Sequence, residues 1–230
     1  MSKAIYVLGG MGPQASLEFY RLLIHTAQSV YHAKNNDDYP EVAIHSIPVP
    51  DFIGDQSQQN AALTMLQQRV KSIDETLFST LAIACNTAHL LAPALQQSTS
   101  LQFVSMIDQV AIVAYQKRVR KIGLLASPTT IKSGLYNAAC ASFGITVVVP
   151  SSEQLNTIEA AIRAVIACTD IHPYQQALRD IAATLIGRGA ELIVLGCTEL
   201  PIAYGETSDE TTVSSLRVLS DAVLKQYYEG

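Results

Sequence analysis

Leu192-Ile193-Val194-Leu195-Gly196-Cys197-Thr198 is a short aliphatic run cut off by a glycine, a cysteine and a hydroxyl residue. Four apolar residues in succession, bounded by a turn, fit a strand covered on both faces, as the strands of a parallel sheet are. The same order occurs at Leu81-Ala82-Ile83-Ala84-Cys85-Asn86-Thr87. Roughly 75 residues upstream of each lies another apolar strand closed by a turn, so the chain carries a weak repeat of positions. The first is Ala4-Ile5-Tyr6-Val7-Leu8, ended by Gly9-Gly10-Met11-Gly12-Pro13. The second is Lys121-Ile122-Gly123-Leu124-Leu125-Ala126, ended by Ser127-Pro128-Thr129-Thr130.

Between these marks strands alternate with amphipathic segments. Helical periodicity covers residues 14–30, 61–78, 88–96 and 108–116, with strands at 41–47, 81–84 and 101–105 and a Pro-containing loop from 48 to about 59. After 121–126 a helix is predicted through Phe143, then a strand at 145–149, helices at 152–167 and 173–188, the strand 192–195, and a terminal helix from 213 to 228. This alternation predicts an α/β fold of two parallel sheets with helices on both faces. The expected division is 1–105 for the first half and 106–212 for the second, with the helix at 213–230 returning to the first.

Composition narrows the function. The chain has 230 residues, 49% hydrophobic and 15% charged, and a net charge of −5, which argues against a general nucleic-acid or anionic-membrane surface. The apolar run near the start is too short for a secretory signal, and no stretch approaches the roughly 18–20 residues of a spanning helix. The expectation is a soluble, cytoplasmic protein whose four cysteines, Cys85, Cys140, Cys168 and Cys197, are thiols. No Cys-x-x-Cys pair or His-rich spacing suggests zinc. The glycine turn lacks Gly-x-Gly-x-x-Gly spacing, and no phosphate-loop lysine follows it, so no nucleotide cofactor is indicated.

In open parallel sheets ligands bind beyond the carboxyl ends of strands. Cys85 and Cys197 stand at such ends where helices are expected to begin, and a helix start favours a thiolate or a bound carboxylate. Asn86, Thr87 and Thr198 add hydrogen-bond donors beside the sulfurs. Two thiols facing one cleft suit the inversion of a stereocentre, one as base and the other as acid. With no pyridoxal electron sink, the carbanion would rest on hydrogen bonds and positive dipoles around the substrate carboxylate. A cysteine at a strand end also serves as a small buried hydrophobe, which is the reading for Cys140 and Cys168.

Three stretches resemble the signatures of the aspartate/glutamate racemase family, in its aspartate racemase branch: Gly9-Gly10-Met11-Gly12-Pro13, Cys85-Asn86-Thr87-Ala88-His89 and Gly196-Cys197-Thr198-Glu199. Ser105-Met106-Ile107 and Gly123-Leu124-Leu125-Ala126 are similar to that branch too. The resemblance implies two pseudo-symmetric, flavodoxin-like three-layer halves with the active site in the cleft between them. It further implies racemisation of a small acidic amino acid, aspartate first, without pyridoxal phosphate or metal, and usually by a homodimer. Cys85 and Cys197 are then similar to the paired catalytic bases. Gly10, Met11, Gly12, Asn86, Thr87 and Thr198 match the cradle for the substrate carboxylate and amino group. Ser127 and Thr130 fall where the family often has hydroxyls near the substrate, and Arg163 where relatives carry a carboxylate-holding lysine.

Some positions keep two readings. Arg163 stands on an apolar helix face, where a guanidinium needs an anion: a pocket carboxylate or a surface partner. Glu199 either supports the first turn of its helix or orients a substrate amine. His89 either tunes Cys85 or is satisfied within the core. Where relatives often carry Pro-Asp-Arg, this chain reads Pro50-Asp51-Phe52, and Phe cannot pair a carboxylate. Glutamate, hydantoin-like and maleate-like substrates, or amino-acid binding without catalysis, therefore stand as alternatives.

Overall fold

A computed structural model of the chain describes residues 4–51, 58–205 and 210–230. Phe52, the departure from the Pro-Asp-Arg pattern, lies outside the described residues. The chain divides into two compact units: one runs to Met106 and includes Leu216–Gly230, and the other is Ile107–Ser215.

The first unit is built on β1 (Ala4–Gly9), buried along its whole length. It pairs in parallel with β2 (Val42–Ser46) on one side and β3 (Phe78–Ile83) on the other, and β3 pairs with β4 (Gln102–Val104), giving the order β2-β1-β3-β4. Alternation along β1 divides the core in two, because successive side chains leave opposite faces of a sheet. Ile5 and Val7 join Phe19 and Leu23 of α1 (Pro13–Ser29) and Leu216, Leu219 and Val223 of the C-terminal helix. Tyr6 and Leu8 join Leu66 of α2 (Gln59–Val70), Leu81, Ile83, Cys85 and Leu95 on the other face.

The second unit repeats the plan. Here β5 (Lys121–Leu125), β6 (Thr146–Val148), β7 (Leu192–Leu195) and β8 (Thr212–Ser214) pair in parallel in the order β6-β5-β7-β8. Its helices include α4 (Met106–Gln116), α7 (Ser152–Ile166) and α8 (His172–Gly187). A capping box opens α7: Ser151 Oγ accepts from Gln154 N–H and Gln154 Oε1 accepts from Ser151 N–H. Two four-strand parallel sheets flanked by helices are the fold class that the β-α alternation predicts.

Several element boundaries differ from the sequence reading. Residues 71–77 are not helical: α2 ends at Val70, and Asp74 Oδ1 accepts from the N–H and hydroxyl of Thr76 in a tight turn that leads into β3. The expected helix at 88–96 is a 3-10 segment, Thr87–Leu91, followed by α3 (Ala92–Gln96), since Pro93 fits the first turn of a new helix and not the interior of an old one. The expected helix up to Phe143 is two, α5 (Pro128–Ser133) and α6 (Leu135–Ala141), separated by left-handed Gly134. The terminal helix, α10, spans Ser215–Glu229, and Val213 belongs to β8. No described helix is long and apolar enough to cross a membrane.

Candidate active site

In both units the sheet order reverses between its first and third strands, β1 and β3 or β5 and β7, and this is where open α/β sheets bind ligands. Each cysteine follows the third strand there. Ala84 N–H donates to Leu8 O at 3.0 Å, and in the second unit Gly196 N–H donates to Leu125 O at 2.7 Å. The residue before each cysteine is thereby tied to the end of the neighbouring first strand. Cys85 thus lies beside the Gly10–Met11–Gly12 turn, and Cys197 beside the Ser127–Thr130 turn. Both sulfur-bearing residues are buried, at 7% and 6% exposure.

The glycine turn is held tightly. Gly10 N–H donates to Ser16 Oγ at 2.9 Å, and that hydroxyl donates to Gly12 O at 3.3 Å. Gly10 has φ +88°, and a Cβ placed on it would lie 2.4 Å from the backbone nitrogen of Ile47. Only glycine fits there. Met11 packs on the core cluster that contains Cys85. Asn86 and Thr87 are buried beside that cysteine.

His89 is settled by its two partners. Its Nδ1 lies 2.8 Å from Cys85 O, a carbonyl that can only accept, so Nδ1 carries the hydrogen. Its Nε2 lies 3.0 Å from Met106 N, a backbone amide that donates, so Nε2 is the bare acceptor. His89 is a neutral, core-satisfied imidazole that fixes the backbone of Cys85. It carries no positive charge to the thiol.

Around Cys197, the Gly196 position lies against Leu124 Cδ1, 2.5 Å from where a Cβ would stand, so a side chain there would have to displace Leu124. Cys197 Sγ donates to Glu199 Oε2 at 3.0 Å, and Thr198 Oγ1 donates to the same oxygen at 2.9 Å. Glu199 makes no side-chain cap hydrogen bond to α9 (Leu200–Tyr204), and one of its carboxylate oxygens accepts from the thiol. At the neighbouring turn Ser127 Oγ accepts from Thr130 N–H and donates to Thr130 Oγ1 at 2.9 Å. Ser127 Oγ thereby caps α5.

Arg163, expected at the pocket, is paired along its own helix. Its side chain is 50% exposed, and Nε and Nη2 donate to Glu159 Oε1 at 2.9 and 2.7 Å, one helical turn away. Glu159 is thus one anion that meets this guanidinium. An exposed i,i+4 pair contributes about 0.3–0.5 kcal/mol, so Arg163→Ala is expected to lower stability by no more than that. Racemisation kcat/KM should stay within about twofold of the parent in a chiral assay. The expected helix starts are likewise shortened to a 3-10 segment after Cys85 and the five residues of α9 after Cys197. Little dipole accumulates over so few peptides.

Sequence reasoning missed Ser16, which holds the glycine turn, and Tyr136, which lies under the Cys197 turn. Tyr136 is fully buried and shares a hydrogen bond with Ser215, whose Oγ donates to Leu195 O. Burial holds its phenol far above the ordinary tyrosine range. The available signal was a lone aromatic among small residues in Leu135–Ala141. The packing reading holds for Cys140 and fails for Cys168, which is exposed just past the end of its helix. Burial pushes the Cys140 thiol up to about 11, whereas Cys168 is exposed. At pH 8 about a thousandth of Cys140 is thiolate, so iodoacetamide should label Cys168 in the native protein and Cys140 only after unfolding.

A separate hollow of about 400 Å³ is lined by Tyr115, Arg118, Arg120 and Phe143, among others. It opens where β5 begins, the end of the second sheet opposite to Cys197, and holds none of the residues singled out above.

Comparison with known proteins decides the family. Residues 8–222 match the family described as Asp/Glu/Hydantoin racemase. The chain belongs to that family. This racemase is 26% identical over 211 residues, 91% of either chain, to the broad specificity amino-acid racemase RacX of Bacillus subtilis strain 168. An aspartate racemase homologue from Pyrococcus horikoshii OT3 superposes with a TM-score of 0.78 and 27% identity, covering 97% of this chain and 98% of the other. Picrophilus torridus aspartate racemase shares the fold at a TM-score of 0.81 and 22% identity, covering 98% and 94%. Membership makes the protein an isomerase of the amino-acid racemase kind.

Proposed function

We propose that this racemase interconverts L- and D-aspartate by two-base proton transfer, with Cys85 and Cys197 acting on opposite faces of the α-carbon. One observation carries the reading: each unit sets a buried cysteine at the switch point of an identically ordered sheet. Inversion without a group that crosses the substrate plane needs a base on one face and an acid on the other, and two thiols supply both. The reading requires the two switch points to meet over a single substrate.

In this reading the thiolate removes the α-proton, and the opposite thiol returns a proton to the other face. The backbone of Gly10, Met11 and Gly12, with Asn86, Thr87 and Thr198, receives the α-carboxylate and amino group, where hydrogen bonds offset the charge that develops on deprotonation. Ser127 and Thr130 border the second cysteine from the adjoining turn. Arg163 has no part in it.

Aspartate is favoured by the motif resemblance and by the likeness to the aspartate racemase homologue of Pyrococcus and the aspartate racemase of Picrophilus. The Bacillus relative, described as broad in specificity, supports a wider acceptance as the second reading. Incubating the protein with L-aspartate, L-glutamate and a panel of neutral L-amino acids, followed by chiral chromatography, separates them. D-Aspartate should accumulate fastest. Aspartate left unchanged while a neutral amino acid racemises would replace the first reading with the second.

A further inference from the structure

We propose that Glu199 is a positioning residue that keeps the proton on Cys197, making Cys197 the acid of the substrate-free protein. The argument is geometric. Cys197 Sγ and Thr198 Oγ1 approach one carboxylate oxygen, Glu199 Oε2, at 3.0 and 2.9 Å. Glu199 is 2% exposed, so water screens this cluster poorly. A carboxylate accepts and does not donate, so the hydrogen between sulfur and oxygen belongs to sulfur. A thiolate in that place would set two anions at hydrogen-bond distance, which disfavours the ionised sulfur.

Further titratable groups described beside this cluster are Tyr136 and Cys140. Tyr136, coupled to Cys197, is held neutral by burial, and Cys140, coupled to Tyr136, is a buried thiol. The consequence for turnover rests on the two-thiol reading above. The Cys85 thiolate takes the α-proton, the electron pair stays on carbon, and carbon takes the proton of Cys197. Cys85 is left as a thiol and Cys197 as a thiolate beside Glu199, and the protein resets when Cys85 gives its proton to solvent and Cys197 takes one back, or when the reverse reaction exchanges them.

The test needs no substrate. Iodoacetamide alkylation of the native protein is followed from pH 6 to 10 with peptide-resolved mass spectrometry, taking exposed Cys168 as the internal reference. The midpoint for Cys197 should stand above that for Cys168. Glu199→Gln keeps the size and removes the charge. It should lower the Cys197 midpoint by about one pH unit, an approximately tenfold faster labelling of Cys197 at pH 7.5. Glu199→Asp should hold the midpoint near that of the parent, and Cys168 should not move in any variant. A Cys197 midpoint unmoved or raised by Glu199→Gln overturns the proposal. Should that variant not fold, a parent midpoint at or below that of Cys168 overturns it equally. A protein inert towards amino acids yet shifted by Glu199→Gln would sink the racemisation reading and leave this one standing.

Discussion

Cys85→Ala and Cys197→Ala should each lower racemisation by roughly 10²–10⁴-fold, the usual contribution of a positioned acid or base, while the protein stays folded. Inversion needs both faces served in every turnover, so losing either thiol stops the net reaction. The structural cost is small, because each substitution removes one buried sulfur, on the order of 1 kcal/mol. Either variant should still exchange the α-proton of one enantiomer with solvent, since the remaining cysteine can take a proton and give it back to the same face. The enantiomer that exchanges should differ between the two variants. Chiral assay, proton exchange and thermal melting on both proteins separate lost chemistry from lost fold. A fully active single-cysteine variant would remove that cysteine from the mechanism.

Gly10→Ala is expected to damage both fold and activity. The residue sits at φ +88°, where a side chain costs roughly 1–3 kcal/mol. The new Cβ would also meet Ile47 N and O at 2.4 and 2.6 Å, and backbone does not yield as a flexible side chain would. The turn must move, and with it the N–H held by Ser16 Oγ and the start of α1. Urea unfolding should show a loss above the strain figure alone, and activity should fall even at temperatures where the variant remains folded. A stability within 1 kcal/mol of the parent would show that the turn relaxes freely.

Much of this was legible in the chain. The buried strands read clearly where they are apolar, as in β1, β7 and the Leu81–Ile83 end of β3, whereas Ser79 and Thr80 hid the start of β3; a cysteine beside the switch point follows from where each third strand stops. Features written in few residues were harder. β8 is only Thr212–Ser214, half-buried and polar, with nothing in its composition to outvote a helix that begins at Ser215. The turn at Asp74–Thr76 was encoded in side-chain hydrogen bonding, which a hydrophobic period passes over. For Arg163 an apolar neighbourhood says that a guanidinium needs an anion without saying which one. Glu159, four residues earlier, was the available answer. The contact of Glu199 with Cys197 depends on rotamers in a tight turn, and residue spacing alone carries no such information.

The central claim is that two thiols work on two faces, and isotope incorporation in heavy water addresses it directly. L-Aspartate is mixed with the protein in deuterium oxide, and both enantiomers are examined for α-deuterium before the reaction has run far. With one base on each face, the D-aspartate formed should carry deuterium from its first appearance, while the L-aspartate recovered remains protiated. Deuterium entering recovered L-aspartate as fast as it enters the product, or D-aspartate retaining the substrate's own hydrogen, would mean one group serving both faces and would contradict the account.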